Sequence, residues 1–146
     1  MLNYAYQVIR FKRKEIKFLY RGNNLDKKLI ILNVIFQGEE GNKNQIQNLQ
    51  DSFLKEKKES QPSRIKTCGS TFKNPKNKKA WELIKKSNCS NLTVGGASIS
   101  DKHCNFFVNN GKATSSDVEK LIEKVKEKVF LKTGTNLELE IKIIGE

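Results

Sequence analysis

The C-terminal end of the chain changes hydrophobic period once, and that change restricts the fold more than any other feature. In SSDVEKLIEKVKEKVF, Val118, Leu121, Ile122, Val125 and Val129 recur at three- and four-residue steps, which makes one apolar stripe along a helix. Ser116 and Glu119 have the spacing of a capping box, and Gly134 supplies a C-terminal stop. LELEIKII follows, where Leu137 to Ile143 alternate apolar and polar residues with the period of a half-exposed strand. A helix with one apolar stripe and a strand with one apolar face each need a second layer to cover them.

The remaining segments fill in those layers. Tyr4 to Phe11 and Lys28 to Gln37 read as strands, joined by the turn-rich FLYRGNNLDKK. After Gly38 and Gly41, Ile46, Leu49 and Phe53 fall at helical spacing; Pro62 ends that helix at or before Gln61. Composition shifts there, so the expected domains are 1–60 and 61–146. Beyond the boundary come a lead-in from Arg64 to Phe72 and a short helix carrying Trp81, Leu83 and Ile84. Two more expected strands follow, Leu92 to Ser100 with a Gly-Gly kink, and CNFFVNN at 104–110. Strands and helices mix without regular β-α alternation. The expected class is therefore α+β, a mixed sheet with helices packed on one face.

Charge narrows the function less than its size implies. A net charge of +12 over 146 residues points to an anionic partner. The bases are lysines spread along every segment, however, and arginine occurs only at Arg10, Arg13, Arg21 and Arg64. Arginine reads phosphate and guanine better, so a solvated surface is expected rather than a nucleic-acid interface. The apolar run Leu29 to Phe36 is interrupted by Asn33, so no membrane span is expected. Three cysteines at wide spacing fit a reducing cytoplasm better than a secreted disulfide framework.

Few groups in this chain can do chemistry. Cys68, Cys89, Cys104 and His103 are ligand types for zinc, but only His103 and Cys104 are close, and neighbours on a strand point to opposite faces. No metal site is expected. NNGKAT at 109–114 lacks the glycine and hydroxyl of a phosphate loop, and Gly95-Gly96 lacks the spacing of a dinucleotide fingerprint. Ser70, between the freely rotating Gly69 and the fixed Pro75, sits on a constrained bend. It has no Ser-His-Asp partners, yet its hydroxyl can still donate a hydrogen bond or a proton. Alternation alone places Glu138, Glu140 and Lys142 on a polar face.

GSTFKNP (69–75), KAWELI (79–84), VGGASISDKHCNFFVN (94–109) and EIKIIG (140–145) occur in order, with YRGN (20–23) and ESQP (59–62) upstream. Together they resemble the UDP-N-acetylenolpyruvoylglucosamine reductase family of peptidoglycan synthesis, from about Phe18 to the C-terminus. The resemblance implies an oxidoreductase using FAD and NADPH, with UDP-N-acetylglucosamine enolpyruvate as substrate. It implies Ser70 as proton donor and Glu140 as a second catalytic acid, with Tyr20, Gln61 and Asn74 contacting substrate. The family's glycine-rich flavin motifs and a catalytic arginine have no counterpart before Tyr20. Residues 1–60 therefore read as the end of a flavin-binding region and 61–146 as the substrate-binding domain. The chain is expected to be inactive alone and to need a flavin domain, which a separate polypeptide could supply. The other reading is a non-catalytic fragment that binds an anion.

Overall fold

The computed structural model describes residues 1, 5 and 7–145, in two compact units, Met1–Asn42 and Lys43–Glu146. The helix read from Ile46, Leu49 and Phe53 lies in the second unit.

In the first unit, β1 (Phe18–Leu19) and β2 (Gly22–Asn23) form an antiparallel hairpin with Phe18 opposite Asn23. Tyr20 and Arg21 make its turn; Arg21 takes φ 56°, and its guanidinium carbon lies 5.4 Å from the centre of the Tyr20 ring. Asn24 ties the hairpin's base, accepting the Lys17 N–H at 2.7 Å and donating to the Glu15 carbonyl at 3.2 Å. The two long strands expected here are absent among the described residues. Tyr4 and Tyr6 lie outside them, Val8 and Ile30 are single bridge residues, and 31–42 have no regular structure. Ile35 and Phe36 are 92% and 88% exposed. An apolar run becomes a strand only when a neighbour takes its N–H and C=O groups, and no described strand runs beside it.

The second unit is built on four strands, β3 (Thr67–Ser70), β4 (Thr93–Val94), β5 (Ala97–Ile99) and β6 (Phe106–Asn109), in the order β3-β6-β5-β4. The mixed sheet expected from the sequence resolves into antiparallel pairings between these strands. Among the described residues, three α-helices accompany it: α1 (Lys43–Ser60), α2 (Ala80–Lys86) and α3 (Ser115–Thr133). The α+β class is as expected, with α3 packed against β4, β5 and α2. α1 ends ahead of Pro62, as expected, but none of its residues is buried.

The expected strand over 92–100 is two strands, and its Gly-Gly is the hairpin turn between them. Gly95 takes φ 53°, and a Cβ there would strike the Asp117 carboxylate; one on Gly96 would strike the backbone of Lys112 and Ala113. This close approach also sets where α3 begins. Its cap is Thr114 with Asp117, two residues before the Ser116–Glu119 pair read from the sequence. Asp117 N–H donates to Thr114 Oγ1 at 3.1 Å, and Thr114 N–H returns to Asp117 Oδ2 at 2.9 Å. The same carboxylate lies where a Cβ on Gly95 would stand, so one side chain touches both the cap and the turn. Hydrogen bonds from Thr114 foremost, and from Gly96, hold Asp117 below its usual carboxylate value.

The core lies between the sheet and α2 and α3. Leu121, Ile122, Val125 and Val129 are buried there, as their stripe predicts, against Ile84, Ala97, Ile99 and Phe107. Phe72 and Phe107 meet edge to face with ring centres 5.8 Å apart. Gly134 ends α3 at φ 65°, its N–H bonded to Phe130. Beyond it, Leu137, Leu139 and Ile141 keep the expected alternation and pack in or against the core. Among the described residues, this C-terminal segment pairs at one rung, Phe72 opposite Leu139.

Candidate active site

Strand register decides which face carries each side chain. Residues directly opposite across antiparallel strands share a face. Thr93, Ser98, Val108 and Thr67 are opposite one another in turn across β4, β5, β6 and β3, so they form one row. Ile99 and Phe107, opposite each other on the reverse face, belong to the core under α2 and α3. The row from Thr93 to Thr67 is therefore on the helix-free face.

Ser70 belongs to that face, and Gly69 is the reason. Thr67 is opposite Val108 and Ser70 opposite Phe106, so three steps on β3 match two on β6. The additional residue makes a bulge, with Gly69 at φ 83°, a conformation that side chains with a Cβ seldom adopt. Without the bulge, residues 67 and 70 would point to opposite faces. With it, Ser70 lies half-buried beside Phe106 on the open side. Among the described residues, nothing hydrogen-bonds its hydroxyl.

Glu140 approaches the Ser70 bend through the backbone. Its neighbours Leu139 and Ile141 pack against the core, and Glu140 itself is half-buried in the bend between them. Its N–H donates to the Thr71 carbonyl at 2.9 Å, and Lys73 N–H donates to Glu138 at 2.8 Å. The backbone of Glu140 is thus joined to the residue after Ser70. Beside it, Lys73 Nζ and Glu138 Oε2 form an exposed ion pair at 3.3 Å.

The other expected site residues are placed less uniformly. Asn74 has a structural role, because its Oδ1 accepts the N–H of Ala80 at 2.9 Å, the first residue of α2, whose own cap residue Lys79 makes no such bond. Gln61 is half-buried, its N–H on the Lys57 carbonyl at the end of α1. Tyr20 is in the first unit, in the hairpin turn already described. A cleft of about 590 Å³ also opens on the helix-free face, lined by Pro62, Ser63, Ile65, Ser98 and Val108 among others. Neither Ser70 nor Glu140 lines it. Among the described residues, no three His, Cys, Asp or Glu side chains come together where they could hold a metal.

One residue at the site was missed in the sequence. Asn105, 3% exposed, sits at the start of an apolar strand run, CNFFV. An amide that deep must have partners, and this one clasps the chain after Ser70. Its carbonyl accepts Thr71 N–H at 2.7 Å, its Oδ1 accepts Phe72 N–H at 2.9 Å, and its Nδ2 donates to the Phe72 carbonyl at 2.8 Å. The signal was available: a polar side chain wedged between strand-forming residues.

A family profile described as "UDP-N-acetylenolpyruvoylglucosamine reductase, C-terminal domain" matches residues 61–144. The chain belongs to the UDP-N-acetylenolpyruvoylglucosamine reductase family. It is 43% identical over 145 residues to the reductase of Rickettsia prowazekii, covering 99% of this chain and 49% of that protein. It is likewise 43% identical over 139 residues to that of Novosphingobium aromaticivorans, covering 95% of this chain and 47% of the relative. The crystal structure of UDP-N-acetylenolpyruvylglucosamine reductase from Thermus caldophilus superimposes with a TM-score of 0.77 at 35% identity, over 88% of this chain and 46% of that one. The chain spans about half the length of the curated relatives it matches.

Proposed function

We propose that this chain is the substrate-side part of a UDP-N-acetylenolpyruvoylglucosamine reductase, with Ser70 as proton donor and Glu140 as second catalytic acid. The reading rests on one observation: two residues far apart in sequence are brought close along the backbone, because the Glu140 N–H bonds the carbonyl of Thr71, the residue after Ser70. The reaction adds two hydrogens across the enolpyruvyl double bond. FAD, reduced by NADPH, supplies one of them as hydride when bound. Neither Ser70 nor Glu140 lines the cleft on the sheet, so these residues do not hold a flavin by themselves. A flavin-binding region beyond this chain, in the same or a separate polypeptide, is the partner this reading requires.

What remains to this chain is the proton. As hydride reaches the terminal vinyl carbon, an electron pair develops on the neighbouring carbon and its carboxylate. The Ser70 hydroxyl, with no competing hydrogen bond, delivers a proton to that carbon. Glu140, the second catalytic acid, is assigned to the carboxylate on which charge collects. Tyr20, Gln61 and Asn74 are assigned to the UDP-sugar. The setting is cytoplasmic; among the described residues no helix is long and apolar enough to cross a membrane.

The experiment is to mix the purified chain with FAD, NADPH and UDP-N-acetylglucosamine enolpyruvate, with and without the flavin-binding half of a relative. Expected are no NADPH oxidation alone, turnover in the mixture, and about a 10²–10⁴-fold loss of kcat for Ser70→Ala. Turnover by the chain alone, or full activity of the variant, sinks the assignment. The net charge of +12 favours a second reading, a non-catalytic anion binder. It predicts UDP-sugar binding that weakens with salt and no turnover in any mixture.

A further inference from the structure

We propose that Asn105 is a positioning residue for this site, resting on the functional reading above. Its side chain acts as a surrogate β-rung that holds the Ser70 bend in register with Glu140. The regular pairing of β3 with β6 stops at Ser70 opposite Phe106, and the chain bends at Thr71. One residue on, Phe72 has no strand beside it on the β6 side, yet it is 1% exposed and its N–H and C=O both need partners.

Asn105 supplies them with its side chain. Oδ1 takes the Phe72 N–H at 2.9 Å and Nδ2 gives to the Phe72 carbonyl at 2.8 Å, the donor–acceptor pair that a strand residue would present. On the opposite edge, Thr71 and Lys73 bond to Glu140 and Glu138 at 2.9 and 2.8 Å. The segment 71–73 is therefore held from both sides: Asn105 fixes it to β6, and it in turn fixes Glu140. Only a planar amide of this length offers both groups. A carboxylate would set an anionic oxygen against the Phe72 carbonyl, and an apolar isostere would leave both backbone groups unpaired in the core. Asn105 is itself aligned by its own N–H, which donates to His103 Nδ1 at 3.2 Å. His103 is held between Trp81 and Phe106, ring centres 6.2 and 4.8 Å away.

Amide hydrogen exchange on the 146-residue chain tests the placement without any turnover. In Asn105→Asp, protection at Phe72 and Glu140 should fall about tenfold or more, while amides of β5 and α3 stay within about twofold. Loss spread evenly over β5 and α3, or none at Glu140, overturns the proposal. If the variant does not fold, the wild-type chain still decides. The Asn105 side-chain NH₂ must exchange slowly, as a group bonded in the core does, and fast exchange overturns it. In the mixture with a flavin-binding half, Asn105→Asp should lower kcat about 10²-fold with KM for the enolpyruvyl substrate nearly unchanged. A rise in KM at constant kcat, or equal kcat, counts against positioning. Failure of the wild-type mixture to turn over counts against the functional reading alone, because the exchange results stand apart from it.

Discussion

α1 and α3 are amphipathic helices of nearly equal length, 18 and 19 residues, and they end in opposite states. The apolar stripe of α3 closes over the sheet, with Leu121 and Val125 fully buried. The stripe of α1 is open; Ile46, Leu49 and Phe53 are 56%, 55% and 60% exposed. The α1 stripe in sequence is as regular as that of α3. Periodicity therefore says that a segment is a helix with one greasy side, and nothing about whether this chain owns the surface that covers it. A tie at the far end of α1, Lys102 Nζ to the Lys58 carbonyl at 2.5 Å, is a surface contact and does not substitute for a core.

The comparison can be broken most directly by truncation. Leu121→Ala should cost about 2–5 kcal/mol in urea unfolding, because it empties a filled core, while Leu49→Ala should stay within about 0.5 kcal/mol. Equal losses would mean that α1 is packed in solution. In the reconstituted mixture the Leu49 variant becomes informative in a different way: weakened assembly there would identify the missing cover.

Glycines sharpen the same contrast at the next level of effect. Gly96→Ala should destabilise by about 1–3 kcal/mol, since the new Cβ would press on the backbone of Lys112 and Ala113. Gly38, in the open first unit, has nothing within 4 Å of a built Cβ, and Gly38→Ala should be neutral or slightly stabilising. A melting temperature unchanged in the first variant would contradict the turn-to-helix contact. Smaller still is the cap: Thr114→Ala should cost about 1 kcal/mol, read as a shift in the urea midpoint.

The mildest effect follows acidity, and it too belongs to the packed body. Burial holds His103 below its ordinary value, partly offset by its own backbone carbonyl, and the neutral ring accepts the Asn105 N–H. A folded pKa below the unfolded value of about 6.5 means the unfolded chain binds the proton more readily. This contribution is complete above that value and lost as pH falls through the folded pKa. Asp117 adds a separate stabilising contribution, complete above its ordinary 3.8 and lost as pH falls through its depressed value. Urea midpoints followed downward from neutrality should show the first decline, and His103→Phe should remove it. A decline that survives the substitution would assign the proton elsewhere.

Local chemistry was legible wherever a residue acts on its own neighbours. The stripe and stop of α3, the end of α1 ahead of Pro62, the strand in CNFFVNN and the alternation after Gly134 all follow from periodicity and backbone preference within a few residues. The motifs around Ser70 and Glu140 were legible as a family pattern. Their approach was not, because it depends on the Glu140 N–H reaching the Thr71 carbonyl and on a one-residue bulge at Gly69 that period-two counting misses.

Sequence alone, then, determined the helices, the apolar faces and the residues worth watching. Tertiary structure decided the rest. It placed the cap at Thr114 with Asp117, whose carboxylate packs against Gly95 of the turn. It set Asn105 as the rung beside Phe72, and it left residues 31–37 without a strand partner. Such outcomes depend on which groups from distant positions satisfy one another. Hydrogen bonds and burial are properties of pairs, and a pair is defined only once the chain has folded.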